Sequence, residues 1–533
     1  MTKSWQRLLV LFLLLFAFVL RAWKLDANPP SLNWDEVSHG YNAYSILKTG
    51  KDEWGTTLPL IFRAYGDQKL PLYIYLTVLP VAFLGLNPLS VRLVSVLSGV
   101  GLVLVAYLLG KKLIKNSWGG LLTGLLVAVS PWSLFLSRVA VEANLAVFLF
   151  ALACWLWIQK KLNWATLFWG LSLYSYNSAR VVVPIVFVLG LLGYLKKRQF
   201  KKILAPVLIM LFFLIPVGIQ FFNQTGGARF YWVSPVDQGA VNRIVERRTS
   251  SSLPVSVNRL IYNRPVYFVA YSARNYLMHF SPTFLFLGGG DHYQFSTPGW
   301  GLLPLITAPF LLIGIFSLLK RRAWFWLLLM ATTIVPSAIT RDSPHVLRSI
   351  LILPWPMLLT ALGLSDLLDW LRSRSKLNGR LLLLVFPILI LISFSFWWRD
   401  YWRNYRTNYS WAWQSAYPEM VDYLKEHYSE YDKIVISKKY GEPHEFLLFY
   451  WPWDPISYQS DSGKKWDYHA NWYWVDGFDK FEFWNDWEVA EKSKELSAGT
   501  LLVASPGSWN PKGELLEKIS FLDQSAAFDL VRY

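Results

Sequence analysis

The sequence predicts an α-helical polytopic membrane protein of about eleven spans with a carboxy-terminal α/β domain outside the membrane. Three observations predict it. The 533 residues are 54% hydrophobic and only 16% charged, with a mean hydropathy of +0.30, far from the composition of a water-soluble protein of this length. Apolar runs recur up to about Trp398, among them Leu8 to Leu20, Leu121 to Val129 and Leu381 to Leu391, each extended by aromatic and small neighbours toward the ~20 residues that cross hydrocarbon. Lys and Arg gather in short clusters between these runs, so the net charge of +17 reads as a topology signal and not as a nucleic-acid surface.

The expected spans are Leu8 to Trp23, Leu89 to Gly110, Trp118 to Leu136, Val139 to Ile158, Leu162 to Tyr176, Val181 to Leu195, Ile203 to Phe222, Gly301 to Leu319, Ala323 to Ile339, Val346 to Leu368 and Leu381 to Trp398. The first has the basic start of a signal peptide in Lys3 and Arg7. Arg21, Trp23 and Lys24 stand where a cleavage site would need small residues, so it reads as a retained anchor. Pro71 to Leu86 is apolar as well. If it crossed, the clusters at Lys111/Lys112/Lys115, Lys160/Lys161, Lys196 to Lys202, Lys320/Arg321/Arg322 and Arg372 to Arg380 would all face outward, against the positive-inside bias. It is therefore expected to be a juxtamembrane or re-entrant helix. The amino terminus is then cytoplasmic, and the first outer loop covers about 24–88 and the second about 223–299. The transmembrane domain covers 1–399 and the extracytoplasmic domain 400–533, in the cytoplasmic membrane of the cell.

Within the first loop, Trp34 to Leu47 reads as an interfacial helix with Asn33-Trp34-Asp35 at its start, where a carboxylate is favoured by the helix dipole. Asp35 or Glu36 could equally be a simple cap. Val266 to Leu277 reads as another interfacial helix. In the tail, Glu419 to His427 looks helical, while Lys433 to Ser437, Glu445 to Tyr450 and Gly499 to Ser505 look like strands. The tail's many Trp and Tyr residues suit either a sugar-stacking surface or, more simply, an aromatic core. Cys154 is the only cysteine, so no intrachain disulfide holds the domain.

With that topology, the outer ends of the helices collect Asp35, Glu36, Lys69, Arg92, Arg138, Glu142, Arg180, Arg341, Asp342, His345 and Arg348. Charges at membrane depth are costly, and a cluster of them points to function. Arg and Lys can hold a lipid phosphate through charge-assisted hydrogen bonds, and a carboxylate can take the proton of an attacking hydroxyl. Taken one at a time, Arg92 and Arg180 read as well as snorkelling interface residues. No Walker loop, paired CxxC, HExxH or dinucleotide GxGxxG is present. A divalent ion on Asp35, Glu36 or Asp342 has no spacing to support it.

Asn33-Trp34-Asp35-Glu36-Val37-Ser38-His39-Gly40 resembles the Asp-Glu motif in the first outer loop of the protein O-mannosyltransferase family. Lys69-Leu70-Pro71-Leu72, Ser90-Val91-Arg92-Leu93-Val94-Ser95 and Ser137-Arg138 through Glu142 resemble its later elements, with Val94 for a Pro and Glu142 for an Asp. Thr340-Arg341-Asp342-Ser343-Pro344-His345-Val346-Leu347-Arg348 looks like a late segment of bacterial relatives. The resemblance implies the GT-C fold and an inverting, polyprenyl-phosphate-sugar-dependent glycosyltransferase, similar to the family-39 enzymes and the aminoarabinose lipid A transferases. It implies Asp35 as base; on the charged cluster itself, Glu36 is expected to orient Asp35 or the acceptor in catalysis, with Lys69, Arg92, Arg138, Arg180, His345 and Arg348 on the donor phosphate. Glu142, Arg341 and Asp342 are further candidates, and no metal or other cofactor is required. The partners are then a polyprenyl-phosphate-linked sugar, the bilayer and a glycan, lipid or protein acceptor, with no nucleic acid. A lipid-linked saccharide flippase, or an oligosaccharide ligase or polymerase, is the rival.

Overall fold

The computed structural model describes residues 3–66, 68–222, 233–374, 379–470 and 472–533. The start of the second large loop, residues 223–232, lies outside the described residues, as does part of the basic cluster Arg372 to Arg380. Two compact units are present. The first comprises Met1–Leu20, Leu97–Leu136 and Glu142–Trp397, and the second Arg21–Val96, Ser137–Val141 and Trp398–Tyr533.

Helices dominate the first unit because its apolar runs satisfy every backbone group internally, which hydrocarbon demands. Among the described residues, six helices are long and apolar enough to cross a membrane: Lys3–Ala22, Pro88–Leu113, Asn177–Lys196, Phe200–Gln220, Ile350–Ser373 and Leu381–Asn408. The expected span Trp118 to Leu136 is broken instead. Ser117–Val129 and Pro131–Ser137 bend by 58° because Ser130, which precedes a proline, is extended. The other four expected spans form shorter helices, Glu142–Ile158, Leu162–Ser172, Leu305–Lys320 and Trp324–Ala338. Leu162–Ser172, at 11 residues, measures about 16 Å, short of a bilayer. The helix Pro71–Leu84 is 14 residues, about 21 Å long. Ile74 and Val81 on this helix share a core cluster with Ala43, Ile46 and Phe62 of the second unit.

The second unit contains a small antiparallel pair, β1 (Phe62–Arg63) with β2 (Gln68–Lys69). It also holds a seven-stranded sheet made from β3 (Lys433–Ser437), β4 (Lys465–His469), β5 (Trp472–Phe478), β6 (Phe481–Trp484), β7 (Thr500–Ala504), β8 (Glu514–Ser520) and β9 (Ala526–Arg532). Their order is β4-β5-β6-β3-β7-β9-β8. Central β3 is parallel to both β6 and β7, and β7 is buried along its whole length, as the continuous apolar run Leu501-Leu502-Val503 requires of a central strand.

Three expectations change here. Glu445 to Tyr450 belongs to a helix, Pro443–Tyr450, opened by Pro443 at a first-turn position where its missing N–H costs nothing. A six-residue apolar run has no period to separate strand from helix. The Trp34–Thr49 helix is not interfacial: from Glu36 to Ala43 it is buried throughout. The chain does divide near residue 400, at Trp397/Trp398, but the tail is not a unit by itself: it joins Arg21–Val96 and Ser137–Val141, and the Trp34–Thr49 helix packs on Pro443–Tyr450. Gly40 permits this approach, because a Cβ there would lie 2.4 Å from the Phe449 ring and 2.7 Å from Val91.

Candidate active site

The start of the Trp34–Thr49 helix carries the acidic motif. Asn33 caps it by accepting the Glu36 N–H at 3.0 Å, and Glu36 accepts the Asn33 N–H at 3.2 Å, a reciprocal capping box. Asp35 occupies the first turn, where the dipole favours a carboxylate. Its side chain is 51% exposed and its Oδ1 lies 3.0 Å from Lys69 Nζ, a side chain only 4% exposed. Lys69 also donates to the Asp35 carbonyl at 3.0 Å. The ammonium thus pins both ends of one residue while leaving its carboxylate reachable.

Trp34 is held as firmly. Its N–H donates to Gln414 Oε1 at 3.2 Å, and its carbonyl accepts from Tyr65 Oη at 2.9 Å. Gly441, at φ +110, brings the chain against the Trp34 ring, where a Cβ would come within 2.0 Å.

Glu36 and Arg92 form a buried bidentate pair, with Nε and Nη2 each 2.9 Å from a carboxylate oxygen. The Ala140 N–H donates to Glu36 Oε1 at 2.7 Å. The remaining Arg92 donors go to the carbonyls of Leu25, Pro29 and Ser31. Arg138 is fully buried too, donating to the carbonyls of Arg21, Trp23, Lys24 and Asn28. Glu36 is a buried cap and ion-pair partner. Arg92 and Arg138 tie carbonyl-rich turns together. Lys69 serves Asp35.

The first unit holds the other candidates. Arg341 lies 3.6 Å from Asp237 and is 39% exposed. Arg348 donates to Thr340 Oγ1 at 2.8 Å and approaches Asp342 at 3.4 Å. His345 packs its ring on Phe295 and receives the Arg348 N–H at 3.4 Å. Ser178 Oγ donates to the Arg348 carbonyl at 3.0 Å, which brings the start of the Asn177–Lys196 helix, with Arg180, to this segment. Arg180 donates to Gln220 Oε1 at 2.9 Å. Glu142 begins its helix and accepts from Ser175 through its carbonyl at 2.8 Å. Asp35, Glu36, Lys69, Arg92 and Arg138 thus belong to the second unit and the remaining six candidates to the first. Among the described residues, no group of three or more His, Cys, Asp or Glu side chains is arranged to hold a metal.

Residues 11–196 match the family model of dolichyl-phosphate-mannose-protein mannosyltransferases. No curated protein matches this sequence. Among solved structures, ArnT from Cupriavidus metallidurans in the apo state is 13% identical and superposes with a TM-score of 0.53 over 99% of this chain and 98% of that one. The same protein bound to undecaprenyl phosphate gives a TM-score of 0.46 at 11% identity, over 100% of this chain and 98% of that one. The apo oligosaccharyltransferase of Archaeoglobus fulgidus gives 0.49 at 13% identity over 84% of this chain. This chain covers 64% of that protein, less than two thirds of its length. The chain has the GT-C fold. Asp35, Lys69, Arg92 and Arg138 all lie within the matched residues 11–196.

This GT-C protein also contains a buried acidic cluster that sequence reasoning missed. Tyr65 Oη, besides holding Trp34, lies 3.2 Å from Glu445 Oε1. His444 sits 3.8 Å from Glu445 and 3.6 Å from Glu442, and Glu53 accepts from Asn42 at 3.2 Å. Burial pushes the Glu53 and Glu442 carboxyls up to about 7 and His444 down to about 3. Burial, and then the Glu53 charge, pushes Glu445 well above the carboxylate range. The signal available was Glu442-Pro443-His444-Glu445, too many ionisable groups for the edge of an apolar run.

Proposed function

We propose that this GT-C protein is a glycosyltransferase that moves a sugar from a polyprenyl-phosphate donor to an acceptor hydroxyl on the outer face of the cell membrane. The observation that carries the proposal is the Asp35–Lys69 pair: a reachable carboxylate on a buried ammonium at a helix start, inside the region matching a family named for its lipid-phosphate sugar donor. Asp35 takes the proton of the acceptor hydroxyl as its oxygen bonds to the anomeric carbon. The bond from that carbon to the phosphate oxygen breaks, and polyprenyl phosphate leaves from the opposite face with inversion. The charge of the phosphate as it leaves must be balanced by cationic side chains. Glu36, Arg92 and Arg138 act as positioning residues, fixing the turns from which Asp35 projects. Purified protein should release polyprenyl phosphate from a labelled polyprenyl-phosphate sugar in the presence of acceptor. Wild-type protein that leaves a panel of such donors intact, while still binding them, counts against transfer and favours a flippase.

A further inference from the structure

We infer that the β4–β5 hairpin is the acceptor subsite and that the acceptor is a saccharide chain. The inference rests on the glycosyltransferase reading and adds the acceptor class to it. Edge strand β4, Lys465-Trp466-Asp467-Tyr468-His469, is exposed at all five positions, and Trp466 and Tyr468 are each 48% exposed. A bare sheet edge is normally guarded by charge. This one alternates aromatic rings with the charged Lys465 and Asp467 and with His469.

The two faces of the hairpin do different things. On one, Trp466 and Tyr468 flank Tyr473, with ring centroids 6.3 and 4.5 Å away. Trp54 joins them edge-on at 5.6 Å from Trp466, and the Arg63 guanidinium lies over Trp54, Trp466 and Tyr473 at 5.0, 5.8 and 4.7 Å. On the other face, Trp472 stacks on Tyr65 at 5.7 Å and 24°, and its indole N–H donates to Glu442 at 2.8 Å. The Tyr473 N–H donates to the Tyr65 carbonyl at 3.1 Å. Tyr65 is the residue that holds the Trp34 carbonyl, and Lys69 Nζ lies 5.4 Å from its ring centre. The hairpin is therefore fastened, through one ring, to the residues that present Asp35.

Contiguous exposed aromatic surface marks an interaction site, and its polar content says with what. A sugar ring offers an apolar C–H face bordered by hydroxyls. Trp466 and Tyr468 supply flat faces, while Arg63 supplies donors beside them. A bilayer contact would set such rings among aliphatic side chains, and β4 has none; its opposite face carries Asp467, 65% exposed and 3.0 Å from His469.

The test uses full-length protein in lipid nanodiscs, with mannohexaose, chitohexaose, cellohexaose and a Ser/Thr-rich peptide as probes, read by saturation-transfer NMR. At least one oligosaccharide should bind at millimolar concentration. Trp466→Ala and Tyr468→Ala, both at exposed positions, should each weaken it roughly tenfold, and Trp466→Phe should restore most of the loss. In turnover, the two alanine variants should raise KM for the saccharide acceptor by the same factor while KM for the donor stays put. Three results overturn the inference: no saccharide binding to wild type, saccharide binding unchanged in the double variant, or peptide binding that the double variant abolishes. Quenching by brominated lipid that disappears in Trp466→Phe overturns it in favour of a membrane contact. Loss of saccharide binding with transfer intact defeats this inference alone. Saccharide binding without any donor cleavage defeats the glycosyltransferase reading.

Discussion

The start of the Trp34–Thr49 helix and the Thr340–Arg348 segment both combine acids with arginines, yet they use them in opposite ways. Around Glu36 the guanidinium is fully buried and all five donors of Arg92 are engaged, by one carboxylate and three carbonyls. Along the second segment, Arg341 and Arg348 meet single carboxylates at 3.6 and 3.4 Å and remain partly exposed. Removing a buried charge is expensive only when its partner stays behind, whereas a long, exposed ion pair contributes little. Saturated arginines are architecture; loosely held ones can change partners. Asp35 stands out within the first region because its carboxylate alone faces outward.

The largest expected effect would break that distinction at Asp35. Asp35→Asn keeps the size of the side chain but removes the base, so transfer should fall by roughly 10² to 10⁴-fold while labelled donor still binds. Wild-type turnover in this variant would move the base elsewhere.

Arg92→Ala should act on folding. It leaves Glu36 buried without its bidentate partner, a loss on the order of 3–5 kcal/mol that thermal melting in detergent should register as a large drop. Arg138→Ala should behave in the same way, stripping four carbonyls of their donor. If either variant melts like wild type and only loses donor affinity, these residues bind phosphate after all.

Arg348→Ala is the counterpart. Its melting temperature should hardly change, while affinity for the donor should drop by roughly 10–100-fold, the worth of one charge-assisted hydrogen bond. Equal effects from Arg92→Ala and Arg348→Ala on both readouts would erase the difference between the two regions.

The smallest effect concerns the buried carboxyls. Glu53 is raised to about 7 by burial, above its ordinary 4.5, so the folded state holds this proton more tightly than the unfolded chain does. Its contribution is complete below pH 4.5 and is lost as pH rises through 7. Glu442 has the same sign, whereas His444, lowered to about 3, withdraws stability as pH falls below 6.5. Glu53→Gln should therefore flatten the decline in melting temperature between pH 4.5 and 7 and stabilise the protein at pH 8. A variant as pH-sensitive as wild type in that window would show that Glu53 is not buried as an acid.

Much of this was readable in advance for a physical reason: hydrocarbon and helix ends impose strong local rules. Apolar length marked the helices Lys3–Ala22, Pro88–Leu113 and Phe200–Gln220. Asn33-Trp34-Asp35 marked a helix start, and the short apolar runs around Val435 and Leu502 marked strands. Each rests on interactions within a few residues. The amino-acid order by itself also established that acids and bases would concentrate near Asp35 and Arg348, because no apolar run tolerates them.

Which charges are structural and which can act was decided only in three dimensions. Arg92, Arg138, Arg180 and Arg348 look alike in one dimension, since each is an arginine close to an apolar helix. What separates them is the number of carbonyl and carboxylate oxygens that the folded chain brings around each guanidinium, and those oxygens come from positions 56 to 117 residues distant for Arg92 and Arg138. The pairing of Lys69 with Asp35, the fastening of Trp472 to Tyr65 across 407 positions of chain, and the helical form of Pro443–Tyr450 share that origin. Burial and partner choice are properties of long-range packing, and local spacing carries no record of them.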